Sequence, residues 1–117
     1  MSVLRDKSYK FALDTILLSK ELIEKKEFIL SKQLLRSGTS IGANIREAGS
    51  AQSKRDFIHK LSISQKECDE SLYWLELLKD SYCINQQQFE SMHVQANEIF
   101  KMLKSSIITA RQNLNQN

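Results

Sequence analysis

The chain has 117 residues, 17 lysines and arginines against 14 acidic residues, no proline, three glycines and two cysteines. That length suits one domain with a sizeable core, while a formal charge of +3 is too small to argue for nucleic acid by itself. No apolar run approaches the roughly 18–20 residues of a membrane span, Met1–Lys10 has no signal-peptide pattern, and two thiols make no disulfide framework, so a reduced cytoplasmic protein away from membranes is expected.

Scarcity of glycine and proline favours long unbroken helices, and no alternating strand pattern competes with them. Helix one is expected from about residue 4 to 26, where Leu4, Phe11 and Leu18 recur every seven residues with Ser8, Thr15 and Leu22 between them. Tyr9, Ala12, Ile16 and Ile23 widen that stripe. Helix two is expected over 29–48, with Leu30, Leu34, Ile41, Ile45 and Ala48 on its apolar face. Gly38 and Gly42 sit one turn apart beside that face, and each costs about 1 kcal/mol against alanine in a helix interior. Close backbone packing or a kink explains such a pair. Gly49 is expected to end the helix in the left-handed conformation.

Ser53-Lys54-Arg55-Asp56 is a capping-box-like start to helix three, expected over 54–79. Phe57, Leu61, Ser64, Cys68, Leu72, Leu75 and Leu78 form its stripe, and Ile58, Trp74 and Leu77 a second flank. Asn85, with Gln88 three residues on, caps helix four over 86–112. That helix carries Phe89, Met92, Ala96, Ile99, Leu103, Ile107, Ala110 and Leu114, and a fraying Asn/Gln tail follows. Four such helices joined by short turns make an all-α, antiparallel up-down-up-down four-helix bundle in one domain. The surplus apolar flank at Tyr73, Trp74 and Leu77 points to contacts between subunits, hence a homo-oligomer.

Catalytic and metal chemistry find little support. Glu90-x-x-His93 and Asp56-x-x-His59 echo di-iron ligand pairs, but each lies near the start of its own helix. Antiparallel neighbours put those starts at opposite ends, on the order of 30 Å apart. No nucleophile has a spaced partner and no glycine-rich phosphate loop is present. The carboxylates Glu67 and Glu70 read as a solvated or subunit-paired face rather than an acid/base pair. No cofactor, metal or enzymatic activity is expected. Asn44 and Glu47 lie close to core positions of helix two, where a polar residue can fix register or oligomeric state. Arg36 lies three turns back on the same side, within reach of a carboxylate across a helix or subunit boundary.

Helix polarity also sorts the charges. The starts of helices one and three share an end with the closes of two and four, and that end gathers Arg5, Lys7, Lys10, Arg46, Lys54, Arg55, Lys60, Lys101, Lys104 and Arg111. Only Asp6, Asp14, Glu47 and Asp56 oppose them there. A diffuse +3 therefore becomes one basic end and one acidic remainder, and a ring of parallel subunits would multiply the basic surface.

The segment from Gln33 to Ala48, Gln-Leu-Leu-Arg-Ser-Gly-Thr-Ser-Ile-Gly-Ala-Asn-Ile-Arg-Glu-Ala, resembles the signature of the four-helix proteins related to the 23S rRNA intervening-sequence protein. Lys54-Arg55-Asp56-Phe57-Ile58 and the stretch from Lys66 to Leu78 resemble it too, with polar Asn44, Glu47 and Glu70 recurring in place. Ala48-Gly49 departs from the glycine that many relatives carry directly after the glutamate. The resemblance implies a homopentameric bundle whose relatives are encoded within ribosomal RNA gene insertions. It also extends to the accessory protein of diversity-generating retroelements, which binds nucleic acid and a reverse transcriptase. The family offers no catalytic residues to carry over. Together these readings favour an RNA-binding module using Arg46, Lys54, Arg55, Lys60, Lys104 and Arg111, with Arg36, Asn44, Glu47, Glu70, Tyr73 and Trp74 setting assembly. The alternative is a scaffold whose exposed Tyr73/Trp74 flank recruits a protein partner.

Overall fold

A computed structural model describes residues 1–115. It is all-helical, with four helices and no strand among the described residues: α1 (Ser2–Glu24), α2 (Ile29–Ala48), α3 (Lys54–Asp80) and α4 (Gln86–Asn115). The molecule measures 52 × 21 × 20 Å, an elongated rod set by helices of 20–30 residues rising 1.5 Å per residue. No helix is long and apolar enough to cross a membrane among the described residues.

The helix ends follow local chemistry, though not always the expected kind. Ser53 Oγ accepts from the Asp56 amide at 3.0 Å, and an Asp56 carboxylate oxygen accepts from the Gln52 amide at 3.2 Å. Asn85 and Gln88 bond reciprocally, side chain to backbone, at 2.8 and 3.0 Å, as a capping box requires. Gly49, by contrast, stays right-handed at φ −63°. The left-handed residues are instead Lys26 (φ 65°) and Tyr82 (φ 63°). At each, two amides fold back on the preceding helix: Lys26 and Glu27 to Ile23 and Leu22, Tyr82 and Cys83 to Lys79 and Leu78. These are Schellman ends built without glycine. They stop α1 at Glu24, two residues before the expected 26. α4 continues through Asn113–Asn115 instead of fraying after 112, and the remainder of that tail lies outside the described residues.

Specific side-chain contacts join the helices in pairs. Thr15 lies against Gly38 and Ser8 against Gly42. The Ser64 hydroxyl donates to the Ile41 carbonyl at 2.8 Å, and Ser71 Oγ lies 2.8 Å from Ser37 Oγ. Cys68 meets the Ala96 carbonyl, and α1 reaches α4 through Lys7–Glu98 and Gln95–Asp14. The expected stripes make the core: Leu4, Phe11, Leu18 and Leu22 of α1 meet Leu34, Ile41 and Ile45 of α2, Leu61, Leu75 and Leu78 of α3, and Met92 through Ile107 of α4. Seven Ser and Thr hydroxyls are buried among them, most spent on carbonyls one turn back in their own helices. Small polar side chains here let the helix axes approach with their hydroxyls mostly paired, Ser19 Oγ being buried without a partner among the described residues.

Gly38 shows the reason for a glycine inside a helix. A Cβ there would stand 2.8 Å from both Cγ2 and Oγ1 of Thr15, closer than atoms pack. The close-packing expectation therefore holds at Gly38. At Gly42 a Cβ would lie 3.3 Å from Ser8 Oγ.

Candidate nucleic-acid interface

One end of the rod is built from the start of α1, the close of α2, the start of α3 and the close of α4. A hollow of about 630 Å³ there is lined by Met1 and Arg5, Ala48 and Gly49, Lys54 and Phe57, and Ala110 and Asn113. A second hollow beside it brings Arg55 and His59 of α3 to Arg111 and Leu114 of α4. A groove between α1 and α2 joins Arg5 to Arg46. The structure thus brings Arg46, Lys54, Arg55 and Arg111 to one end, with Lys104 two turns back along α4.

Ion pairing separates the expected basic residues into two groups. Lys60 is not a free phosphate ligand: its Nζ lies 3.0 Å from Glu47, a hydrogen bond that raises the affinity of the amine for its proton. Lys7 pairs with Glu98 at 2.7 Å and Lys10 with Asp14 at 2.7 Å. Burial opposes ionisation of Asp14, yet the hydrogen bonds from Lys10 and Gln95 prevail and hold its carboxyl below the usual range. Glu98 therefore belongs with the basic end, which carries one more carboxylate than the chain order suggests. Arg5, Arg46, Lys54, Arg55, Lys101, Lys104 and Arg111 are all exposed, and none is in an ion pair among the described residues. Unpaired exposed cations clustered this way attract polyanions and release their counterions on contact.

Of the residues expected to set register, Asn44 and Glu47 lie near the close of α2 at the basic end, and Arg36, Glu70, Tyr73 and Trp74 toward the middle and far end. Arg36 forks across to α3, Nη1 to Glu67 at 3.0 Å and Nη2 to Glu70 at 2.7 Å. The bond from Glu70, with that from Glu67, raises the guanidinium pKa further. The carboxylates Glu67 and Glu70 are thus occupied by an intramolecular partner. Asn44 is half-buried and donates to the Ser40 carbonyl of its own helix at 2.8 Å. Of the aromatic pair, Tyr73 is exposed, whereas Trp74 is half-buried and packed against the core. Its indole Nε1 is buried with no acceptor. The exposed Tyr/Trp flank therefore reduces to Tyr73, set among Glu67, Asp69, Glu70 and Glu76.

The larger apolar surplus is on α1. Tyr9, Leu13, Leu17 and Ile23 are 46–61% exposed, so Tyr9 and Ile23 do not widen the core stripe but face out of the bundle. His93 stacks near Phe89 with ring centroids 4.9 Å apart, and Glu90 accepts from Gln86 at 2.9 Å. Among the described residues no group of three or more His, Cys, Asp or Glu is placed to hold a metal ion.

Four helices around one core, with Arg5, Arg46, Lys54, Arg55 and Arg111 brought to one tip, define a class of small helical protein. The model of the 23S rRNA-intervening sequence protein family matches residues 2–105, and the chain belongs to that family. It is similar to a solved structure of a protein of unknown function from the S23 ribosomal protein family of Bacteroides thetaiotaomicron VPI-5482. The two are 54% identical over 89% of this chain and 97% of that one, with a TM-score of 0.88. No curated protein matches the chain.

Proposed function

We propose that the chain is a non-enzymatic, nucleic-acid-associated module, RNA favoured, that works in the cytoplasm as a homopentamer of up-down-up-down bundles and binds through the basic end. The observation that carries this reading is the set of five exposed cations, Arg5, Arg46, Lys54, Arg55 and Arg111, that stand without ion pairs among the described residues at one tip of a 52 Å rod, with Lys104 two turns back along α4. Membership of a family named for an intervening sequence of 23S rRNA agrees with RNA as the polyanion. Self-association draws on the exposed α1 side chains Leu13 and Leu17, since exposed apolar patches mark contact surfaces. A ring of parallel copies would align the basic tips.

Fluorescence-anisotropy titration with a structured RNA tests the reading. Arg46, Lys54 and Arg55 reversed together to Glu should weaken binding at low salt by at least ~10-fold. The same number of reversals at the far end, Lys20, Lys25 and Lys32, should change it little. Absence of binding to the unaltered protein, or equal loss from both sets, contradicts it.

A further inference from the structure

Of the four exposed aromatic side chains, Tyr9, Phe28, Tyr73 and Tyr82, one stands among cations at the basic end. Phe28 and Tyr82 belong to the opposite turns, and Tyr73 lies in a hollow where the four carboxylates of Glu67, Asp69, Glu70 and Glu76 outnumber Arg36 and Lys66. Tyr9 is 59% exposed and forms a wall of a groove of about 370 Å³ between α1 and α2, together with Arg5 and Arg46. Neither arginine is in an ion pair among the described residues. The floor is made of small residues, Ser8 and Ala12 from α1 and Gly42 and Ala43 from α2. The two helices approach closely here, since a Cβ on Gly42 would lie 3.3 Å from Ser8 Oγ. Such a floor leaves a flat surface beside the phenol ring.

Glu47 also lines this groove, and a free carboxylate there would repel a phosphate. Its charge is instead answered by Lys60 at 3.0 Å. Lys60 thus serves the groove indirectly, by neutralising the one acid in its wall.

We propose that this groove binds one unstacked nucleotide of single-stranded RNA, the base stacked on Tyr9 and the flanking phosphates held by Arg5 and Arg46. A ring for the base face and forked cations for the phosphates are the two elements that single-strand sites combine, and the volume is in the range of small-ligand sites. Stacking is tolerant of base identity because every base has a π-face. The proposal rests on the RNA-binding reading above and gives it a subsite.

The test compares a short oligouridylate with an abasic oligomer of equal charge, both fluorescently labelled, on the unaltered protein and on Tyr9→Leu and Tyr9→Phe. Leucine keeps an apolar side chain at an exposed site, so melting temperature should hold; phenylalanine keeps the ring. Tyr9→Leu should weaken oligouridylate at least ~5-fold and leave abasic binding unchanged, while Tyr9→Phe stays within about twofold. Equal affinity of the unaltered protein for the two oligomers, or full oligouridylate affinity in Tyr9→Leu, overturns the subsite. If those results accompany loss of structured-RNA binding on reversing Arg46, Lys54 and Arg55, the subsite alone falls. No binding of any RNA removes the wider reading as well.

Discussion

Cys68 is completely shielded from solvent, with Sγ donating to the Ala96 carbonyl of α4 at 3.1 Å. Burial first, and the charge of Asp69 second, push its thiol up to about 12 from an ordinary 9.0. Only the thiolate is a nucleophile, so Cys68 is inert in the folded protein. Ellman's reagent at mildly alkaline pH should titrate at most one thiol, the half-buried Cys83, and two after denaturation. The raised value also carries a sign for stability: the contribution is full below pH 9.0 and is lost as pH rises toward about 12, because the unfolded chain releases that proton first. Chemical denaturation above pH 9 follows this loss, and a Cys68→Ala background removes it. The placement of Cys68 was legible because it falls on the apolar stripe of α3. Its partner carbonyl was not, since the facing register of α4 is a tertiary matter.

At the scale of elements, the core stripes and both side-chain caps could be read from spacing alone. The left-handed residues that close α1 and α3 could not, although α3 ends within one residue of the expected 79. Glycine is the usual marker of a left-handed C′ residue, and the chain uses Lys26 and Tyr82 there while leaving Gly49 right-handed. A side chain in that region costs roughly 1–2 kcal/mol. Lys26→Gly and Tyr82→Gly should each therefore stabilise the protein by about 1 kcal/mol, a rise of a few degrees in Tm by calorimetry. Gly38 works the other way. Alanine gains about 1 kcal/mol of helix propensity, but its Cβ would stand 2.8 Å from Thr15, and overpacking costs about 1–3 kcal/mol. Gly38→Ala should be destabilising alone and turn stabilising once Thr15 is also alanine. Urea unfolding of that double-mutant cycle checks it; additive effects would show that Thr15 is not the obstacle. α1 also hid its outer face. Tyr9 and Ile23 lie close enough to the core stripe in sequence to look like its edge, yet they face outward with Leu13 and Leu17, and only packing shows which side of the helix the neighbours cover.

For the whole molecule, chain order sorts ten of the cations toward one expected end. It did not foresee which of them are answered. Lys7, Lys10 and Lys60 are tied to Glu98, Asp14 and Glu47, and these links depend on side chains meeting across helices or one turn apart. Arg36 shows the same limit: its spacing put it within reach of a carboxylate, while the fork onto Glu67 and Glu70 is set by the approach of α2 to α3. Of the ten cations sorted to that end, three lysines are already neutralised and seven are in no ion pair among the described residues, a smaller basic surface than composition implies, but a more available one.

The most direct test of that account is the slope of log binding constant against log salt concentration for a single-stranded RNA. Each phosphate contact contributes about 0.7 to the slope, so reversing Arg46, Lys54 and Arg55 should make it shallower by roughly 2, while replacing the paired Lys60 and Glu47 together by glutamine should leave it nearly unchanged. A slope unaffected by the three reversals, or cut as deeply by removing that pair, would contradict a basic end that acts through its unpaired cations.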